Sequence, residues 1–254
     1  MNTRTVWDFT PDEFAWVWAE TGLDEYPDPI SIIESATNQD DYARLIGEIS
    51  ARYPHYADAD LTGPLRVLAN PDLRIICTGR SLTSHKRVRS VGGAVGDLGV
   101  VLFQKSGSTA DFGGNIKLVV TQRRNLGKHL AATMPTAPPG AAGQMIGYTR
   151  RVRGQEPSTS YRHPDDGQQS IEERIRTLLR APRTAEGHLK IERYLHDRRH
   201  HHPAAYLSWI DIRNGHPAAG RYLIDVNAND TTVTPASADT IANELHHRAE
   251  VGHP

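Results

Sequence analysis

Apolar positions along this chain fall into two rhythms, helical and alternating, and the two follow each other in the same order twice. The first helix is the best signed. Phe9-Thr10-Pro11-Asp12-Glu13-Phe14 places Thr10 at the N-cap, Pro11 at the first helical position and Glu13 three residues on, which completes a capping box. Phe9 and Phe14 stand where a hydrophobic staple closes over it. Phe14, Val17 and Trp18 share one face with Thr21, and Gly22 supplies a stop. Thr3 to Asp8 reads as a short strand ahead of this helix. Pro27 and Pro29 mark a turn, and Ile30, Ile32 and Ile33 a brief extended segment. A second helix is predicted over about 39 to 52, with Tyr42, Leu45, Ile46 and Ile49 as its stripe, followed by a loop from Pro54 to Pro64.

The doubled pattern begins at Leu68-Ala69-Asn70-Pro71, which ends a helical stretch and opens a run of strands. Leu73 to Cys77, Arg87 to Val91, Gly99 to Phe103 and Ile116 to Val120 read as strands, closed by a short helix at about 123 to 133. Leu179-Arg180-Ala181-Pro182 repeats the opening after a helix at 169 to 180 with Ile171, Ile175, Leu178 and Leu179 on its apolar face. Strands follow at His188 to Leu195, Tyr206 to Ile212, Arg221 to Val226 and Thr231 to Thr234, and a last helix at 238 to 249 is N-capped by Ser237. From proline to closing leucine the two runs measure 59 residues (Pro71 to Leu130) and 63 residues (Pro182 to Leu245). A period of roughly 110 residues exceeds the ~20–50 of a solenoid repeat, and suits two half-domains sharing one sheet. Hairpin-length connections favour antiparallel pairing, since a parallel crossover needs a dozen residues or more. The predicted fold is therefore α+β, a pseudo-twofold repeat around a central, mainly antiparallel sheet flanked by helices. Its halves are residues 1–135 and 136–254, and the Pro- and Arg-bearing segment 135–168 between them reads as linker with a helix around Gln144 to Arg151.

Composition narrows the classes. At 254 residues, 23% charged and 38% hydrophobic, the chain has the make-up of a globular protein able to bury a core. Lys and Arg number 29 against 30 Asp and Glu, a net charge of −1, which argues against a nucleic-acid or anionic-membrane binder while leaving room for a local basic patch. A single cysteine, Cys77, excludes an internal disulfide and fits a reducing compartment. With no apolar signal core in the first residues and no apolar run near 18 residues, a cytoplasmic location is expected.

Candidate chemistry is sparse. Gly92-Gly93-Ala94-Val95-Gly96 has the glycines of a phosphate loop, but a strand follows where a helix N-terminus is needed, so a turn or bulge is the better reading. His196, His200, His201 and His202 surround Asp197-Arg198-Arg199 ahead of Pro203. Zinc would need two of them on one helix face with a third ligand; in a charged hairpin tip they read first as a solvated loop. No Gly-x-Ser-x-Gly elbow is present, and Cys77 sits between Ile76 and Thr78 as a small buried residue. Paired acids such as Asp40-Asp41 and Glu172-Glu173 fall at helix starts, where negative charge is stabilising. No pattern asks for a cofactor, and the chain reads as a non-enzyme that presents a surface.

The order of these signals resembles the EspG family of type VII (ESX) secretion-associated proteins. The likeness is carried by Leu178-Leu179-Arg180-Ala181-Pro182-Arg183-Thr184, Gly187-His188-Leu189-Lys190-Ile191, Leu207-Ser208-Trp209-Ile210-Asp211, Gly220-Arg221-Tyr222-Leu223-Ile224 and Thr232-Val233-Thr234-Pro235-Ala236. In the N-terminal half it is carried by Phe9 to Leu23 and by Val67-Leu68-Ala69-Asn70-Pro71-Asp72-Leu73. The resemblance implies an added helical bundle and the work of an actinobacterial cytosolic chaperone that holds PE–PPE heterodimers soluble for export, gripping the apolar tip of the PPE protein. It also implies where: the loop between early strands, the sheet face and the C-terminal helices. Carried onto this chain, these are Arg80, Ser81, Leu82, Thr83, Lys86, Arg87 and Arg89, with Gln144 and Ile146 from an expected helical region at 141 to 180, and Trp209 from a strand. Leu82 is the apolar anchor of that set and the cations its rim, although Trp209 reads as core more readily than as interface. Two other readings stand beside this one: a metal-dependent enzyme built on His196 to His202, and a homodimer joined through an exposed sheet edge.

Overall fold

One ten-stranded sheet organises the protein. The computed structural model describes residues 5–109, 111–157, 169–197, 199 and 202–250. The first half supplies β1 (Val6–Phe9), α1 (Pro11–Trp18), α2 (Gln39–Arg52), α3 (Ala59–Ala69), β2 (Leu73–Ser81), β3 (Arg87–Val95), β4 (Leu98–Ser106), β5 (Gly113–Gln122) and α4 (Leu126–Ala131). The second supplies β6 (Met145–Tyr148), α5 (Thr149–Val152), α6 (Ile171–Arg180), β7 (Arg183–Arg193), β8 (Ala205–Ile212), β9 (Gly220–Val226), β10 (Asp230–Pro235) and α7 (Ala238–Glu250). Strand order is β1-β5-β4-β3-β2-β7-β8-β9-β10-β6, and the central seam β2–β7 is antiparallel like its neighbours. Outward from that seam each half lays down a four-strand meander and then its own first strand. The doubled sequence pattern is thus a pseudo-twofold, with its axis between β2 and β7.

Local chemistry explains the elements. The α1 capping box forms as predicted: the Glu13 N–H donates to Thr10 Oγ1 at 3.2 Å and the Thr10 N–H to Glu13 Oε2 at 2.8 Å. Glu13 Oε1 then meets Arg52 Nη1 at 2.7 Å, which ties α2 to α1. Residues 59–64 are helical where a loop was expected. Asp58 caps α3 by accepting from the Asp60 N–H, and Leu61, Leu65 and Leu68 all face the core, a burial that outweighs Pro64 within the helix. Residues 145–148 are a strand where a helix was expected. Met145 and Gly147 turn inward and Ile146 outward, the period-two pattern that lets β6 pair with β10. The two glycines Gly92 and Gly93 lie within β3 and not in a turn. Successive residues of a strand face opposite ways, so Gly92 lets Leu126 and Leu130 of α4 close on one face while Gly93 admits Leu68 of α3 on the other.

The layers follow from this alternation. On one face α4 and α7 cross over the central strands and cover Leu73, Ile75, Cys77, Leu189, Leu207 and Trp209. They approach so closely that a Cβ on Gly127 would stand 2.5 Å from the Ala242 carbonyl oxygen. On the other face two separate helical clusters cover the flanks. Helices α1 and α3 pack on Ile76, Val91, Leu102, Ile116 and Leu118, and α6 packs on Ile210, Ile212, Tyr222 and Ile224. Between these clusters the middle of the sheet is left open.

Two buried features fasten the seam. Gly79 and Gly187 are cross-strand partners, and the Trp209 indole fills the space their missing side chains leave, its Nε1 donating to the Thr78 carbonyl at 3.3 Å. A Cβ on Gly187 would stand 2.0 Å from the Thr78 carbonyl oxygen. Gly187→Ala is therefore expected to cost about 3 kcal/mol, because the clash is with backbone in a central ladder; a urea midpoint equal to wild type would refute this. Cys77 is fully buried beside this seam, and burial pushes its thiol up to about 12. It is expected to resist alkylation in the native protein at mildly alkaline pH and to react only on unfolding, as mass spectrometry after a thiol-reagent pulse will read.

Candidate functional site

The opening on the helix-poor face is a trough of about 600 Å³. Two cross-strand rows form its floor, and register dictates their membership. One runs Arg87–Arg80–Glu186–Ile210 across β3, β2, β7 and β8; the next runs Arg89–Thr78–His188–Ser208. Ile224 of β9 continues the second row, and Leu179 of α6 and Pro29 stand at the two walls.

The trough is chemically lopsided. At its C-terminal wall Leu179, Ile210 and Ile224 are apolar. In the middle, His188 Nδ1 and Ser208 Oγ lie 3.1 Å apart. Toward the N-terminal wall stand Arg80, Arg87 and Arg89, whereas Arg183 lies on the Leu179 side. Arg80 Nη2 and Arg183 Nη1 reach Glu186 at 2.7 and 2.8 Å, and Arg183 also donates to the Leu179 carbonyl. The Arg80 hydrogen bond holds the Glu186 carboxyl below the usual carboxylate range, against the opposing effect of burial. Arg89 is 9% exposed and donates to the Asp111 carbonyl at 2.9 Å. Burial first, and Arg87 second, pull its ordinary value down, with Asp111 partly offsetting them.

The N-terminal wall is fixed by one buried amide. Gln104, 1% exposed, accepts from the Ser31 N–H at 3.0 Å and donates to the Ser31 carbonyl at 2.8 Å. Its side chain passes where a Cβ on Gly113 would lie, so that glycine is required for the wall to close. Ser31 Oγ in turn donates to the Asp111 carbonyl at 2.9 Å, the same acceptor that Arg89 uses.

The sequence-predicted residues divide by place. Arg80, Arg87 and Arg89 line the trough. Ser81, Leu82, Thr83 and Lys86 form the β2–β3 turn at its end. That turn is held by the Leu82 N–H donating to the Thr184 carbonyl at 2.7 Å and the Ser84 N–H to Ser81 Oγ at 3.1 Å. Leu82 is 36% exposed. Gln144 and Ile146 are not brought there: Gln144 reaches Thr234 at 3.4 Å and Ile146 lies exposed on the edge strand β6. Trp209 is fully buried under the seam glycines, so it supports the floor and does not present a surface. Thr78, Glu186, His188 and Ser208 escaped the sequence reading, because only the long-range β2–β7 register, with β7–β8 beyond it, brings them into the two floor rows beside the arginines. Their signal was the outward phase of Gly187-His188-Leu189-Lys190.

The histidines of the β7–β8 connection have separate partners. His196 meets Asp72 at 2.7 Å and the Asn70 carbonyl at 3.1 Å, while His202 meets Asp197 at 3.0 Å. His200 and His201 lie outside the described residues. Among the described residues no three metal-ligating side chains come together, and no helix is long and apolar enough to cross a membrane.

Comparison with known proteins agrees with this architecture. The EspG family profile matches residues 10–247. No curated protein matches in sequence. Among solved structures, the chain is similar to the Mycobacterium tuberculosis type VII secretion system chaperone EspG5 in complex with the PE25–PPE41 dimer, at 13% identity and a TM-score of 0.61, over 98% of this chain and 99% of that one. At that identity the likeness establishes the shared fold.

Proposed function

The chain belongs to the EspG family, and on that footing we propose that it is a non-enzymatic chaperone of type VII secretion that binds a PE–PPE heterodimer on the trough face. The supporting observation is the end-to-end fold shared with a chaperone solved while holding such a dimer. The chain's own geometry is consistent with it: α4 and α7 close one face of the sheet, whereas the other leaves a concave surface rimmed by a rigidly tied hairpin. Concave surfaces with an apolar wall and a few convergent polar groups are where binding concentrates. The proposed contact residues are Arg80, Leu82, Lys86, Arg87 and Arg89, joined by Thr78, His188 and Ser208. On this reading it works in the cytoplasm, before export.

Co-expression with the PE–PPE pair encoded nearest this chain's gene tests the reading. A one-to-one-to-one complex by size-exclusion chromatography with light scattering is expected, together with more soluble heterodimer. Recovery of the folded chain alone, with each PE–PPE pair of the genome tried, overturns it.

A further inference from the structure

Arg87 and Arg80 stand directly opposite each other across β2 and β3. Like charges in directly opposed positions of an antiparallel pair are destabilising, and the fold relieves only one of them. Arg80 is neutralised by Glu186, which it shares with Arg183. The Arg87 side chain is exposed and has no ion-pair partner among the described residues. The next residue inward on the same face of β3, Arg89, brings a further guanidinium, which donates to the Asp111 backbone carbonyl. Arg80, Arg87 and Arg89 therefore stand together toward the β3 side of the trough, with Glu186 shared between Arg80 and Arg183 and the Asp111 charge acting on Arg89, while the other end is walled by Leu179, Ile210 and Ile224.

We infer that the trough selects a partner segment carrying a carboxylate beside apolar side chains, with the carboxylate seated against Arg87 and the apolar groups turned toward Leu179 and Ile224. This rests on the reading that the trough face binds the PE–PPE heterodimer, and adds to it both a chemistry and an orientation. An unpaired positive charge such as that of Arg87 in a concave site raises the local concentration of the complementary charge and rejects like charge. The arginine pair thus costs the free chaperone some stability and gives the complex its discrimination.

The test uses wild type, Arg87→Ala and Arg87→Glu with the co-purified neighbouring PE–PPE heterodimer as probe, titrated at about 50 mM and about 500 mM NaCl. At low salt R87E is expected to bind on the order of tenfold more weakly than wild type, with R87A between them, and the gap should narrow at high salt. R87E should melt no lower than wild type, since it replaces an opposed like pair by an opposite one. An acidic-to-lysine substitution in the partner's bound segment should restore affinity toward R87E. Equal affinity of R87E and wild type at low salt overturns the inference while leaving the chaperone reading standing, and so does a loss independent of salt. Failure of wild type to bind any heterodimer overturns both.

Discussion

Asp211→Ala is expected to destabilise the fold by about 3–5 kcal/mol, the cost of removing one partner from a buried ion pair. Asp211 and Arg221 face each other across β8 and β9, 3% and 2% exposed, joined by two hydrogen bonds of 2.7 Å each. Arg221 also donates to the Pro135 carbonyl at 2.6 Å and lies 5.2 Å over the Trp209 ring. Its backbone N–H donates to the Pro138 carbonyl, and its carbonyl accepts from the Gly140 N–H. One arginine thereby fastens the segment that joins the two halves to the sheet and steadies the tryptophan under the seam. Alanine at 211 strands that cation in the core without water. The paired change Asp211→Leu with Arg221→Met removes both charges and should cost much less, within about 2 kcal/mol of wild type, because desolvation offsets most of the pair's attraction. Urea unfolding of the three proteins checks the order; equal midpoints for D211A and wild type would contradict it.

Ser208→Trp is expected to weaken heterodimer binding by at least about a hundredfold with little change in stability. Ser208 lies in the floor row beside His188 and is half-buried, open to the trough above it. An indole there fills the space a partner must enter without touching the packed face below the strand, and contacts near the centre of an interface carry most of its energy. Calorimetric titration reads the affinity and thermal melting the fold. Wild-type affinity in S208W would place the interface elsewhere.

Much of this architecture was legible in the residues, for reasons that differ by element. The capped α1 announced itself because its signals are local: Thr10, Pro11 and Glu13 lie within four positions. The pseudo-twofold was legible because two equivalent strand runs carry equivalent punctuation at Pro71 and Pro182. What was not legible depended on distant partners. Helix α3 contains Pro64, and only packing of Leu61, Leu65 and Leu68 on the sheet makes it a helix. Strand β6 is four residues long and exists because β10 offers it an edge. Gly92 and Gly93 look like a turn until helices are known to press on both faces of β3. The site divided along the same line. The basic hairpin Arg80 to Arg89 is contiguous and was readable, whereas its floor partners Glu186, His188 and Ser208 come from strands more than a hundred residues along the chain.

On the proposed reading the heterodimer sits on the open face between the two helical clusters. Burial of Cys77 leaves the wild-type protein without a reactive thiol, so a cysteine placed at one site reports on that site alone. The decisive measurement is the alkylation rate of Ser208→Cys, in the trough, and of Asp239→Cys, exposed on α7 across the sheet, each with and without saturating PE–PPE heterodimer. Protection of S208C with an unchanged rate for D239C is the predicted result. An unchanged rate for S208C in a complex that has demonstrably formed would contradict the account.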